Sequence, residues 1–305
     1  MSELLFNFVF IIMMLNMRRI FVVLFCLQIF FAGTRAQQNT QTELFCGVEL
    51  DYSDVNFIRL YNTLVNLTPG TKIHLGHDWQ LAAQAMLPID NSGYPERYNM
   101  IRLSMANVTK TFRFPHANQY FKLSAGLFGQ DRYGADFRWM YPVNNWLMLN
   151  ARFGITSDWA LGFDMSSNSE STFNRDWRSI GIAGVSVWLD RWSTELRMSG
   201  GYYLNKDKGL EGEVMRHFKH CSVSLFGQYH DVLGRYRETV GFRIVMMLPP
   251  YKKSHEKVVF RPASNFRLTY AAHSGASMAK YMTDPEENER TYPIRIPWGT
   301  GNFDE

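Results

Sequence analysis

The chain has 305 residues, of which 46% are hydrophobic, 15% aromatic and 20% charged, with a formal charge of +4 and three cysteines. A charge so close to balance argues against nucleic acid as a partner, and after residue 36 no apolar run is long enough for a transmembrane helix. What remains is an exported, β-rich protein whose aromatics are scattered among 22 glycines.

Arg18 and Arg19 precede an apolar run, Ile20–Phe31, and Thr34-Arg35-Ala36 supplies a small-x-small cleavage site. Residues 1–36 therefore read as a signal peptide with an N-terminal extension, cut after Ala36, with Met17 as the initiator. The rival is a membrane anchor over Phe6–Phe31, but the two arginines interrupt it and leave a short span. Cleavage removes three arginines and Glu3, which lowers the formal charge to about +2.

Residues 37–71 are expected to be an N-terminal tail followed by a short helical or irregular segment. Gln37–Phe45 is polar. Phe57, Leu60, Tyr61 and Leu64 follow helical spacing, and Pro69-Gly70 reads as a turn.

From Lys72 the period changes to two. Lys72–Pro88 sets Ile73, Leu75, Trp79 and Leu81 against Lys72, His74, Asp78 and Gln80. Tyr98–Phe112, Tyr120–Gln130, Asp136–Tyr141, Trp146–Thr156 and Trp159–Met165 follow, then a polar loop, Ser166–Asp176. Trp177–Asp190, Thr194–Asn205, Leu210–Phe218 and Cys221–Asp231 continue the pattern. Alternation is cleanest in Gly234–Pro249. There Tyr236, Val240, Phe242, Ile244 and Met246 face away from Arg235, Arg237, Thr239, Gly241 and Arg243. Phe266–His273 reads as one more strand, and residues 274–305 as an irregular C-terminal tail.

Many long strands with one greasy and one polar face, joined by short turns, fit an all-β fold: an antiparallel up-and-down transmembrane β-barrel over residues 72–273. The count points to about twelve strands, with ten as the fallback. Phe266–His273 would close it by pairing with Gly234–Pro249 and with Lys72–Pro88. A soluble β-sandwich also alternates, but its strands are usually shorter. Counted from a periplasmic N-terminus, the long loop Ser166–Asp176 falls on the end where barrels keep short turns.

The chain has no Gly-x-Ser-x-Gly, no His-Glu-x-x-His and no phosphate loop, so no enzyme activity, metal or cofactor is expected. His74 and Asp78 would share a strand face about 7 Å apart, suiting a polar pair inside the barrel. The inward line of the later strands carries Arg197, Arg235, Arg237, Arg243, Glu195, Glu211 and Glu213. In a narrow barrel these residues pair and fill the lumen. In a wider one they line a passage for hydroxyl-rich or anionic solutes. Cys26 leaves with the signal. Cys46 and Cys221 either form a disulfide in an oxidising compartment or serve separately as small hydrophobes.

Four stretches, taken in order, resemble one family: Asn66–Thr71 leading into a long strand, Phe128–Asp136 with its Arg-Tyr-Gly corner, Val240–Ile244 running to Leu248-Pro249, and Phe260–Tyr270. Over about residues 55–275 the chain resembles YjbH-type outer-membrane proteins linked to exopolysaccharide production. The resemblance implies a non-enzymatic barrel in the outer membrane of a Gram-negative envelope. Its role would be to assist synthesis, secretion or surface assembly of an exopolysaccharide or capsule. The implied partners are outer-membrane lipid, a polysaccharide and other envelope export proteins. It brings no catalytic residues. The alternatives are a passive porin and a structural subunit of a larger outer-membrane assembly.

Overall fold

The computed structural model describes residues 41–55, 62–163, 169–218, 221–232, 234–247, 257–263, 265–273 and 278–286. The signal-peptide reading lies outside them. The strands are β1 Gln41–Val55, β2 Asn62–Gly76, β3 Trp79–Ser92, β4 Ile101–Phe114 and β5 Gln119–Phe128. Then come β6 Arg132–Pro142, β7 Leu147–Phe163, β8 Ser169–Phe173, β9 Arg178–Leu189 and β10 Thr194–Tyr202. The last five are β11 Lys208–His217, β12 Cys221–Val232, β13 Arg235–Met247, β14 Val258–Pro262 and β15 Asn265–His273.

All of these strands belong to one sheet, in the order β14-β1-β15-β13-β12-β11-β10-β9-β7-β6-β5-β4-β3-β2, with β8 beside β7. Every pairing among the described residues is antiparallel except those of β14 and β15 with β1, which are parallel. The other side of β1 pairs antiparallel with β2, from Gln41↔His74 to Ser53↔Asn62.

Four sequence expectations are corrected here. The described residues form fifteen strands rather than twelve or ten. Residues 41–55 and 62–71 are strand, not tail or helix, and Pro69 pairs with Cys46 inside β2 rather than making a turn. Lys72–Pro88 is not one strand, because the chain reverses at His77 and Asp78, both at positive φ (48° and 61°), a two-residue hairpin geometry. β15 pairs with β13 as expected, but its other partner is β1, in parallel.

These changes also relocate the long loop. Residues 41–55 add a strand, His77-Asp78 divides another, and the two strands expected over Trp146–Thr156 and Trp159–Met165 are replaced by the single strand β7, Leu147–Phe163. The connection after β7 therefore lies at the end opposite the start of β1. The end where β1 starts carries the tight turns His77-Asp78, Pro115–Asn118 and Asp190–Ser193. The last two are 3-10 turns closed by a left-handed residue. The far end carries the longer Gly93–Met100 connection and the β7–β8 extension.

The two faces of the sheet invert the rule for water-soluble proteins. Buried side chains include Lys122, Ser124, Asp136, Arg138, Ser186, Glu195, Glu211, Glu213, Gln228 and Arg243. Exposed ones include Leu123, Phe137, Phe153, Leu196, Met198, Val214, Leu225, Val240 and Phe242. Within β12, Ser222, Ser224 and Gln228 are buried while Val223, Leu225 and Tyr229 are exposed. An apolar exposed face of this extent marks a surface made for something other than water.

Cys46 and Cys221 are both free thiols. In the sheet β15 and β13 separate β1 from β12, so their backbones lie roughly 14 Å apart at normal strand spacing, beyond disulfide reach. The disulfide alternative is thereby corrected.

Candidate functional site: a charged face crossed by a strap

The polar face is a set of linked ion pairs. On β10 and β11, Arg197 donates to both carboxylate oxygens of Glu195, at 2.7 Å each. His217 Nε2 lies 3.2 Å from the same carboxylate, and its Nδ1 lies 2.9 Å from Ser222 Oγ. Glu213 accepts from Arg243 at 3.0 Å and from Ser224 at 2.7 Å, with Arg197 3.8 Å away. Strand alternation puts these residues on one face, the polar line of each strand, and the register, with Arg197 opposite Glu213 and Ser224 opposite Arg243, brings them into contact.

Not every residue of the expected line joins them. Arg235 and Arg237 keep the right parity but sit at the far end of β13, where Arg235 is exposed and Arg237 half-buried. His74 and Asp78 do not share a face. His74 Nε2 lies 3.4 Å from Glu43, whereas Asp78 belongs to the hairpin turn and meets Arg113 at 3.2 Å.

A second cluster was not foreseen. Asp136 accepts from Arg138 at 2.8 Å and from Arg152 at 2.7 Å, and is only 1% exposed. Its remaining hydrogen bond comes from the Tyr281 hydroxyl at 2.8 Å. Tyr281 belongs to Met278–Glu286, a stretch without regular structure that lies across the polar face as a strap. The Tyr281 ring stacks on Phe128 with centroids 5.3 Å apart, the Arg152 guanidinium lies 4.1 Å from its centroid, and Arg152 also donates to its carbonyl at 2.8 Å. Phe128, Ile180, Tyr203, Leu204, Met278 and Tyr281 form a buried apolar cluster on this face.

The strap matches the charge of whatever it crosses. Lys280 Nζ reaches Glu211 at 2.9 Å, and Gln228 donates to the same carboxylate at 2.7 Å. Further along, Asp284 and Glu286 each lie 2.7 Å from Lys72 Nζ. Glu286 also takes a two-pronged bond from Arg261, at 2.6 and 2.8 Å, and Gln80 donates to Asp284 at 3.1 Å. The Gly129 N–H donates to the Met282 carbonyl at 2.9 Å. Near Met278, buried His230 holds Asp207 through Nδ1 at 2.9 Å.

Glycines make the room. A Cβ on Gly154 would overlap the Tyr281 hydroxyl, and one on Gly209 would press on Met278. The substitution Gly154→Val is therefore expected to lift Tyr281 off Asp136 while leaving the strand pairings intact. With Cys46→Ser and Cys221→Ser removing the native thiols, a reporter Thr283→Cys, buried in the strap, should then react with a water-soluble thiol reagent about tenfold faster or more, roughly 1.4 kcal/mol of lost docking.

Burial opposes ionisation of Asp284, but Lys72 and Lys122 outweigh it and hold the carboxyl well below its ordinary value of 3.8. Burial, with Asp136 adding to it against Arg152, pushes the Tyr281 phenol above its ordinary value of 10.0. A depressed carboxyl stabilises above its unfolded pKa and loses that contribution as pH falls through the folded one. A raised phenol stabilises below its unfolded pKa and is lost only as pH climbs past its folded one. Labelling at position 283, expressed at each pH relative to a small free thiol so that thiolate fraction cancels, should therefore stay slow from about pH 9 down to about pH 4 and accelerate outside that window.

Among the described residues no three His, Cys, Asp or Glu side chains converge as a metal site requires. No described helix is long and apolar enough to cross a membrane, which says nothing of crossing by strands. The class so defined is an all-β sheet with an apolar exposed face and a strap-crossed, ion-paired polar face. Comparison with protein-family models, with curated proteins and with solved structures finds no match.

Proposed function

We propose that the sheet closes as a β-barrel in the outer membrane of a Gram-negative envelope and acts there without catalysis. In this reading it assists the secretion or surface assembly of an exopolysaccharide or capsule. The observation that carries it is the inverted sheet: charged side chains buried, aliphatic and aromatic ones exposed. Only a closed barrel can put strands in lipid without an unpaired edge. The pairings support closure, because following them from β1 through β15, β13 and on to β2 leads back to β1. With β14 and β15 counted as one interrupted stave, the ring has thirteen, and an odd number needs one parallel junction, which β1–β15 supplies. The turns His77-Asp78, Pro115–Asn118 and Asp190–Ser193 mark their end as the periplasmic mouth in this reading, and the Gly93–Met100 connection marks the other, which also carries the short Gly129–Asp131 turn.

The polysaccharide role rests on the YjbH-type resemblance, with surface lipid, the polymer and envelope export proteins as partners. Deleting the gene should reduce surface polysaccharide, and an unchanged capsule would sink the role. Outer-membrane fractionation and heat-modifiable gel migration test the barrel separately. A porin is the second reading. The strap and the ion pairs across the polar face favour a filled interior, so purified protein in planar bilayers should be silent, and steady conductance would favour the porin.

A further inference from the structure

Resting on the barrel reading above, we infer that Lys72 and Arg261 form a binding site for a carboxylate-bearing glycan chain, and that Asp284 and Glu286 of the strap occupy that site as an internal stand-in. Two carboxylates two residues apart converge on one ammonium, both at 2.7 Å, and the second is gripped by a guanidinium fork. That geometry is how a cationic site reads successive acidic groups on a polymer.

The electrostatics point the same way. Lys72, Arg261 and, through its field on Asp284, Lys122 face the strap end, against Glu43, which Arg261 holds at 2.6 Å and beside which His74 lies at 3.4 Å. Withdrawal of Asp284 and Glu286 leaves cationic excess in a largely buried place, a state that favours an incoming anion. The stand-ins are carboxylates on an irregular segment rather than on a strand, so they can leave without breaking a strand pairing. A small cavity of about 50 Å³ adjoins Glu286, lined in part by Phe45, Glu49, Thr68, Gln84 and Met282, so the strap is not packed solid on this side of the site. The site lies toward the tight-turn end, the mouth that faces the periplasm in the barrel reading. A polymer arriving from the cell would displace the strap there, and strap and polymer would exclude each other.

The test uses the full chain, refolded in detergent, with oligogalacturonate as acidic probe and maltooligosaccharide as neutral control. The double variant Asp284→Asn/Glu286→Gln should bind oligogalacturonate at least about tenfold more tightly than the unaltered chain, about 1.4 kcal/mol, and should not gain affinity for the neutral probe. Adding Lys72→Gln and Arg261→Gln should abolish the gain. An unchanged or weaker affinity, or an equal gain for the neutral probe, overturns the inference. If the double variant does not fold, the unaltered strap decides: in the thiol-labelling chain, saturating oligogalacturonate should speed reaction at position 283 at least severalfold, and an unchanged rate overturns it. Heat-modifiable migration of the unaltered chain reports on the barrel alone, so its failure is distinct from a failure of binding.

Discussion

Asp136→Ala is expected to destabilise the protein by about 3–5 kcal/mol, the usual consequence of removing one partner from a buried ion pair. The carboxylate answers Arg138, Arg152 and Tyr281 at once, all within 2.8 Å. Its loss leaves two guanidinium groups facing each other in a place that water does not reach, and removes the hydrogen bond that seats the strap. Asp176 provides the control: it meets Arg178 at 2.8 Å but is largely exposed, so Asp176→Ala should leave the unfolding midpoint where it was. Urea unfolding in lipid vesicles measures both. An Asp136→Ala midpoint equal to that of the control would mean the arginines find other partners and that the network does not hold the interior together.

The second large effect reverses sign between a membrane and water. Leu225 is 66% exposed near the middle of β12. In a soluble protein, Leu225→Arg would be neutral or would improve solubility. On a lipid-facing strand at mid-depth it should cost about 2–4 kcal/mol. Val214→Arg on β11, also exposed, should behave the same way. Unfolding titrations from vesicles, compared with Leu225→Ala, separate the charge from lost side-chain area. A cost near zero would remove the lipid from the account.

How much of this was legible in the sequence differed by element. The alternation of β13 was legible over Arg235–Met246, with Glu238 on the apolar line and Val245 on the polar line as its two exceptions. Glu195, Arg197, Glu211, Glu213 and Arg243 could be placed together from parity alone. β1 was missed although Leu44, Cys46, Val48 and Leu50 alternate. Phe45, buried on the opposite line next to Lys72 and Arg261, blurred the pattern. The division of Lys72–Pro88 was hidden because the alternation resumes at Trp79 and Leu81 in the same parity as Ile73 and Leu75, with His77 as one polar exception, while His77 and Asp78 take left-handed angles; Asp and His are among the residues that tolerate such angles. Arg152 was visible on a polar line, but its partner Asp136 belongs to another strand, and pairing across strands depends on register, which periodicity does not supply. The strap carries no period at all. Its place is set by Lys280, Tyr281, Asp284 and Glu286 finding Glu211, Asp136, Lys72 and Arg261 across more than sixty intervening residues or, for Arg261, from a nearby strand. Such contacts become apparent only once the sheet exists.

The central claim is that the apolar line of each strand meets lipid and the polar line meets the interior. A single-cysteine scan in vesicles, in a chain carrying Cys46→Ser and Cys221→Ser, tests it directly. Probes attached at positions 223, 225, 229, 240 and 242 should be quenched strongly by lipid-borne quencher, and probes at 222, 224, 228 and 239 only weakly. If the first set is instead quenched by an aqueous quencher as fully as a probe at exposed Asp90, the exposed apolar face meets water and the membrane account is wrong.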